Sequence, residues 1–473
     1  MRHSQQGRFR QQVNFLRRQF LQEGHLPFTN VLSAESLSQT LEDIAVCWKD
    51  RIFTPLVTLW VFLGQVLSAD PSCRAAVARL IAHRVSQGLK PCSSETGAYC
   101  QARKRLPEPF FSAVACQVGR TLDAQVDPQW LWKGRRVYLF DGSTVSMPDT
   151  RENQQAYPQL YNQKPGTGFP IARIAAIISL SCGTILNLGI CRYAGRGQGE
   201  VSLLRQLWNL LRPGDVLLTD CLMSNWVGII LLQQRGVETV SRLNKAVRSA
   251  DFRRGTRLGK DDHLVRWFKP TSIRSVDRQT YKSLPESLTI REVRFRVEQP
   301  GFRTKAVVVV TTLLDPEQTT REDLALLYRE RWNNELDLRS IKITLQMDIL
   351  RCKTPELVRK EIWTHVLAYN LIRTIMAQAA IEHEIPPRSI SFKGTLQTLE
   401  AFQPLIAYRE PLGPSHREDL YQHLLRAIVA HRVGDRPDRF EPRMAKRRPK
   451  NYDRLMKPRQ EVKREMLKRV GKI

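Results

Sequence analysis

Up to about residue 130 the apolar positions recur at helical spacing. Leu37 to Trp48 and Thr54 to Leu67 each read as a helix, and Asp70-Pro71 supplies an N-cap and an N1 proline for a third running to about His83. A short helix over Thr96–Arg105 stops before Pro107, and another follows from Pro109. At Arg135 the pattern changes. Val137-Tyr138-Leu139-Phe140 is a continuous apolar run ending on Asp141-Gly142-Ser143, which predicts a buried strand with a carboxylate at its C-terminal end, although Asp141 capping a turn with Gly142 fits too. Ile171 to Ser181 and Thr184 to Tyr193 predict a hairpin around Cys182-Gly183. A helix over Glu200–Leu211 precedes Asp215 to Asp220, a second short strand ending on an acid. Asp149, in a loop, and Asp215, at a strand start, lack that placement. A helix over Ser224–Gln234 and a strand over Val237–Ser241 continue the order.

From about Leu243 the chain turns β-like and rich in Arg and Lys, with Leu264–Phe268, Leu288–Val297 and Thr304–Thr312 as strands, so residues 243–312 read as an inserted subdomain. Trp267 within it fits core packing better than stacking on a displaced base. Thr319 and Glu322 then form a capping-box start, and no Gly or Pro intervenes before Pro355, which predicts one continuous helix. At about 100° per residue, Tyr328, Arg331, Glu335 and Lys342 share one narrow stripe of it, beside an apolar flank of Leu327, Leu338, Ile341 and Leu345. Taken alone, such a stripe is more often a solvated charged face. Further helices run to about Glu382 and from about Glu418 to Ala430, ahead of a basic tail holding Arg443, Lys446-Arg447-Arg448-Pro449-Lys450 and Lys457-Pro458-Arg459.

At 473 residues the chain exceeds what one core usually holds, and 42% hydrophobic residues is ordinary for a globular protein. The net charge of +28, with a pI near 10.1, points to a polyanionic partner, most commonly nucleic acid. A membrane fits less well. The basic residues are spread through every region, and the longest apolar run, Leu56 to Leu67, is too short to span a bilayer. The basic N-terminus lacks the apolar core of a signal peptide. Nine cysteines without a Cys-x-x-Cys pair, and nine scattered histidines, fit reduced thiols in a cytoplasmic protein and no zinc site.

These features give the acids a chemical reading. Asp141, Asp220 and Glu335 are hard oxygen donors suited to Mg²⁺ or Mn²⁺. Two such ions, about 3.5–4 Å apart, activate a water or a 3′-hydroxyl and stabilise the leaving oxygen of an in-line phosphoryl displacement. Arg331 can hold a phosphate bidentately, Lys342 acts as a point charge, and Tyr328 can donate to a phosphate oxygen or stack on a base. Trp332 is open between core and base contact. Arg103 and Arg105, with Lys104 between them, form either a phosphate-facing turn or a solvated basic helix end.

The spacing Tyr-x2-Arg-x3-Glu-x6-Lys, at Tyr328, Arg331, Glu335 and Lys342, resembles the signature of the insertion-sequence-four family of bacterial DDE transposases. Ala102 to Pro107, Asp141-Gly142-Ser143, Pro148-Asp149-Thr150 with Glu152-Asn153, Gly214-Asp215 before Thr219-Asp220, and Arg447-Arg448-Pro449-Lys450 also resemble family segments, covering about residues 95–460. The resemblance implies an α/β fold with a ribonuclease-H-like, retroviral-integrase-type core in two parts (131–242 and 313–384). A β-rich insertion separates the parts, and helical regions flank them (1–130, for DNA binding and dimerisation, and 385–473). It implies cut-and-paste transposition at terminal inverted repeats by nicking, hairpin formation and opening, and strand transfer. Asp141, Asp220 and Glu335 match the metal-binding triad, and Tyr328, Arg331 and Lys342 match residues holding a flipped base and phosphate. A homodimer on paired ends of double-stranded DNA, in the nucleoid of a bacterial cytoplasm, is the implied assembly. Cys221 departs from the Asp-Arg of many relatives, which puts one basic contact in doubt. A catalytically silent DNA-binding relative and a structure-directed metal nuclease are the alternatives; the complete triad argues against the first, and flanking inverted repeats would argue against the second.

Overall fold

The computed structural model describes residues 2–20, 27–49, 51–271, 276–296, 306–408, 413–434 and 455–471. Six helices come first: α1 (Arg2–Arg18), α2 (Ala34–Asp43), α3 (Pro55–Leu67), α4 (Cys73–Ser86), α5 (Gly97–Arg105) and α6 (Glu108–Ala124). Next come β1 (Val137–Ser146), α7 (Arg151–Ala156), β2 (Ile171–Ser179), β3 (Ile185–Arg192), α8 (Glu200–Leu207), β4 (Val216–Thr219), α9 (Trp226–Gln233) and β5 (Glu238–Arg242). The β-rich stretch contributes β6 (Thr256–Gly259), β7 (Asp262–Phe268), α10 (Arg278–Ser283), β8 (Ser287–Arg296) and β9 (Ala306–Thr311). The chain continues with α11 (Arg321–Glu330), α12 (Trp332–Arg339), α13 (Pro355–Glu382), α14 (Phe392–Tyr408), α15 (Gly413–Ala430) and α16 (Arg459–Arg469). The clusters at Arg443 and Lys446–Lys450 lie outside the described residues. Among those described, no helix is long and apolar enough to cross a membrane.

The fold is α/β, with one mixed sheet of nine strands in the order β3-β2-β1-β4-β5-β9-β8-β7-β6. β1, β4 and β5 run parallel, and the remaining neighbours pair antiparallel. The strands of residues 243–312 thus extend the same sheet through β9, which pairs with β5 by Ser241↔Val310. Alternation along β1 divides its side chains between two cores. Val137, Leu139 and Val145 join the large core, which also takes residues from α1–α3, α6, α11, α13 and α15. Tyr138 and Phe140 pack with Leu203, Leu204 and Leu207 of α8 on the other face.

Local chemistry moves several expected boundaries. Ser72, not Asp70, caps α4: its hydroxyl accepts from Ala75 N, while Asp70 accepts from Ser72 N. α2 ends at Asp43, ahead of Ala45 at φ 52°, well short of Trp48. α8 ends at Leu207 and passes into a single 3₁₀ turn. The capping box before the charged stripe is Thr320 with Asp323, one residue later than expected, because Asp323 reaches back to Thr320 N at 2.9 Å.

α13 runs through the large core. Its start is set by Thr354, which accepts from Leu357 N, with Pro355 at N1. Asn370 anchors it to neighbouring segments: it accepts from Thr184 Oγ1 and Ile185 N and donates to Ala115 O and Ile185 O. Arg373 pairs with buried Asp337 of α12, whose other oxygen takes Arg388 Nη1 at 2.7 Å. Arg388 also donates to Ser179 O and Leu180 O at 2.7 Å each. Gly183, at φ 79° in the β2–β3 turn, leaves room for this network, since a Cβ there would lie 2.8 Å from Arg373 Cζ. The network fastens α12 to α13 and to the hairpin.

Candidate active site

β1 and β4 pair in parallel over Val137–Leu139 and Val216–Leu218. Asp141 and Asp220 each lie two residues beyond the partners Leu139 and Leu218. Equal steps along a parallel ladder keep both on the face those leucines present to the large core. β4 ends at Thr219, but pairing with β2 carries β1 on to Ser146, so Asp141 stands in mid-strand and not at the strand end expected. Its Oδ1 accepts from Gly142 N at 2.8 Å, and Asp220 Oδ1 accepts from Leu222 N at 2.8 Å. Asp215 immediately precedes β4 and accepts from Arg212 N, while Asp149 accepts from Gln154 Nε2.

The predicted continuous helix is interrupted. α11 stops at Glu330, Arg331 joins it to α12 with 3₁₀-type bonds on either side (Arg331 N to Tyr328 O, Asn334 N to Arg331 O), and Ser340–Thr344 widens into a π-turn. A wheel drawn at constant pitch cannot anticipate either change. The stripe nevertheless meets the sheet at two points. Arg331 Nη2 donates to Glu335 Oε1 at 2.9 Å while Nη1 lies 4.0 Å from Asp141 Oδ2, so the guanidinium stands between two of the acids. Lys342 Nζ donates to Ser143 Oγ at 2.9 Å, two residues along β1 from Asp141. Tyr328 is half-buried with its ring 6.3 Å from that of Phe295, and Trp332 is exposed.

Burial pushes the Asp141 carboxyl up to about 6; the Gly142 N–H opposes this, and the charge of Asp220 adds to it. Burial also raises the Tyr328 phenol and lowers the Lys342 ammonium. For Arg331 burial works the other way, but Tyr328, Glu335 and Asp141 outweigh it and the guanidinium is held above its ordinary value. Among the described residues no three His, Cys, Asp or Glu side chains converge tightly enough to hold an ion unaided. The donor set still fits a divalent cation. Asp141 and Asp220 follow matching positions of the β1–β4 ladder, carboxylates are the hard oxygen donors such an ion takes, and the positive charge between Asp141 and Glu335 is Arg331.

One expectation fails on burial. Arg103 is only 5% exposed, stacked 4.9 and 4.6 Å from the rings of Phe62 and Tyr99, with Nη2 donating to Cys73 Sγ at 3.1 Å. It is a core cation and offers no surface to a phosphate, whereas Arg105 is exposed. Trp267, 2% exposed with Nε1 donating to Glu292 at 3.0 Å, is core as expected.

Sequence reasoning missed three groups. Arg242, the last residue of β5, donates to Cys221 Sγ at 3.4 Å, placing a guanidinium beside the position where the expected arginine is absent. The rule that strand ends carry function would have flagged it. Glu200 lies against Gly142. Asp337 was passed over because nothing local separates a buried pairing acid from a solvated one.

The chain belongs to the DDE transposases, DNA-cleaving and strand-transferring enzymes: the family model described as Transposase DDE domain matches residues 132–371. It is similar over nearly its whole length to the Escherichia coli K12 transposase InsG for insertion sequence element IS4, with 26% identity, 91% of this chain and 94% of that protein covered. A shorter stretch, 17% of this chain and 21% of the relative, is 37% identical to the E. coli transposase for insertion sequence element IS421. Among solved structures, a piggyBac transposase synaptic complex with hairpin DNA matches with a TM-score of 0.45 and 10% identity, covering 84% of each chain.

Proposed function

We propose that this insertion-sequence transposase works by cut-and-paste: nicking, hairpin formation and opening, then strand transfer at terminal inverted repeats. Asp141, Asp220 and Glu335 would hold two Mg²⁺ or Mn²⁺ ions, which when bound supply an activated water or 3′-hydroxyl and charge for the leaving oxygen. Arg331, which here spans Asp141 and Glu335, would be free to hold a DNA phosphate bidentately once those acids serve the ions. Lys342 places a second positive charge on the same backbone, and Tyr328 donates to a phosphate or stacks on a displaced base, with Trp332 and Arg105 as outer contacts. The core of residues 131–242 and 313–384 is read as ribonuclease-H-like with 243–312 inserted. Supporting this are parallel β1, β4 and β5 flanked by the antiparallel β2–β3 hairpin. Residues 1–130 serve end binding and dimerisation, 385–473 form the helical C-terminal region with its basic tail, and the assembly is a homodimer acting on the bacterial nucleoid.

The observation carrying this reading is the matched emergence of Asp141 and Asp220 from parallel strands, with Arg331 spanning from Asp141 to Glu335. The test is incubation with a linear duplex bearing the element's own ends and Mg²⁺. Hairpin-ended excised DNA is expected from the wild type, and unaltered end binding without cleavage from Glu335→Gln. Equal loss of binding and cleavage would assign Glu335 to folding instead.

A further inference from the structure

Glu200 opens α8 on the face of β1 opposite Asp141. The backbone admits it because position 142 is glycine: a Cβ built there would lie 2.5 Å from both Cδ and Oε1 of Glu200. The carboxylate therefore rests against bare backbone between Asp141 and Ser143. Past Leu139, β1 has lost its β4 neighbour, and until the bridge from Ser146 to Ile349 that edge is open. Asp220 follows directly on the last residue of β4, next to that open edge. Glu200 and Asp141 thus flank β1 from opposite faces beside the gap left where β4 ends, with Asp220 just past that end. The cation facing Glu200 is Arg173 of β2, whose Nη1 lies 3.3 Å from Oε1; Arg173 is itself anchored to Tyr193, donating to its carbonyl at 3.1 Å.

An acid in the first turn of a helix is favourable wherever it occurs, and a salt bridge to Arg173 would complete an ordinary structural account. That account does not explain why the acid is drawn under Gly142 towards two further carboxylates, since like charges oppose one another even with Arg173 and Arg331 alongside. We propose that Glu200 is a fourth carboxylate of the ion centre, a positioning residue that reaches through the slot where β4 ends to the hydration shell of an ion held by Asp141 and Asp220, with Arg173 as its counter-ion when no metal is bound. The proposal rests on the reading of those acids as an ion site. Outer partners of this kind change metal affinity by about 10- to 100-fold.

The experiment is a Mn²⁺ titration, followed by electron paramagnetic resonance, of the full chain bound to duplex carrying the element ends, with thermal denaturation measured alongside. Glu200→Gln is expected to weaken Mn²⁺ binding about tenfold and raise the Mg²⁺ concentration for half-maximal cleavage by a similar factor, with Tm and end binding unchanged. Arg173→Gln, which frees Glu200, is expected to tighten Mn²⁺ binding. A lowered Tm with an unchanged Mn²⁺ midpoint in Glu200→Gln overturns the proposal and leaves a first-turn acid that steadies α8. Asp141→Asn is the control: if it too leaves Mn²⁺ binding unaltered, the ion-site reading itself falls and takes this one with it.

Discussion

Replacing Asp141 with Asn removes a carboxyl whose titration the fold has moved from 3.8 to about 6. Because the folded value is the higher one, the native protein holds this proton more tightly than the unfolded chain does. The resulting stability is fully present below about pH 4 and is lost as pH rises through 6. At 1.36 kcal/mol per pH decade, ionised Asp141 costs the metal-free fold about 3 kcal/mol at pH 7.5, an upper value because the replacement amide is also half-buried. With an unfolding entropy of about 2.1 cal/mol/K per residue, a chain this long shifts its Tm by about 1 °C per kcal/mol. Asp141→Asn is therefore expected to melt about 3 °C above wild type at pH 7.5 in EDTA. The gap opens between pH 4 and 6 and stays level above about pH 7. Saturating Mn²⁺ should close it, by stabilising the wild type alone. Differential scanning calorimetry across this range is the assay. A pH-independent gap, or an Asn variant less stable than wild type at pH 7.5, would show that Asp141 carries no such burden.

Asp337→Ala strands Arg373 and Arg388 in the network that holds α12, and a loss of about 3–5 kcal/mol in urea unfolding is expected; under about 1 kcal/mol would mean the network is not structural. Lys342→Ala is expected to slow hairpin formation more than the first nick in a timed gel assay, and unaltered hairpin kinetics would remove its phosphate-holding role. Arg242→Ala should weaken end binding and lower the slope of log affinity against log salt by about one. An unchanged slope would leave Arg242 as no more than a partner for Cys221.

Elements bounded by strong local signals were legible along the chain. α3 and α13 carry a threonine cap followed by proline, and the β2–β3 hairpin turns at Cys182-Gly183. Where neighbouring residues compete to cap, reading alone chose wrongly, as with Asp70 against Ser72 and Thr319 against Thr320, because only the folded backbone shows which side chain reaches an amide. Arg103 shows the same limit for site residues. Its sequence surroundings, Arg103-Lys104-Arg105, are uniformly basic, yet helix phase turns the first into the core between Phe62 and Tyr99 and leaves the third outside.

The sequence by itself determined the charge of the chain, the acids that end short apolar runs, and the Tyr328–Lys342 stripe, since composition, strand length and helical spacing are properties of neighbouring residues. Tertiary structure alone decided that β4 stops where β1 continues, that Arg331 stands between Asp141 and Glu335, that Glu200 lies under Gly142 and that Arg242 reaches Cys221. Those placements come from ladder register and from packing between segments far apart in the chain, and no local pattern encodes either.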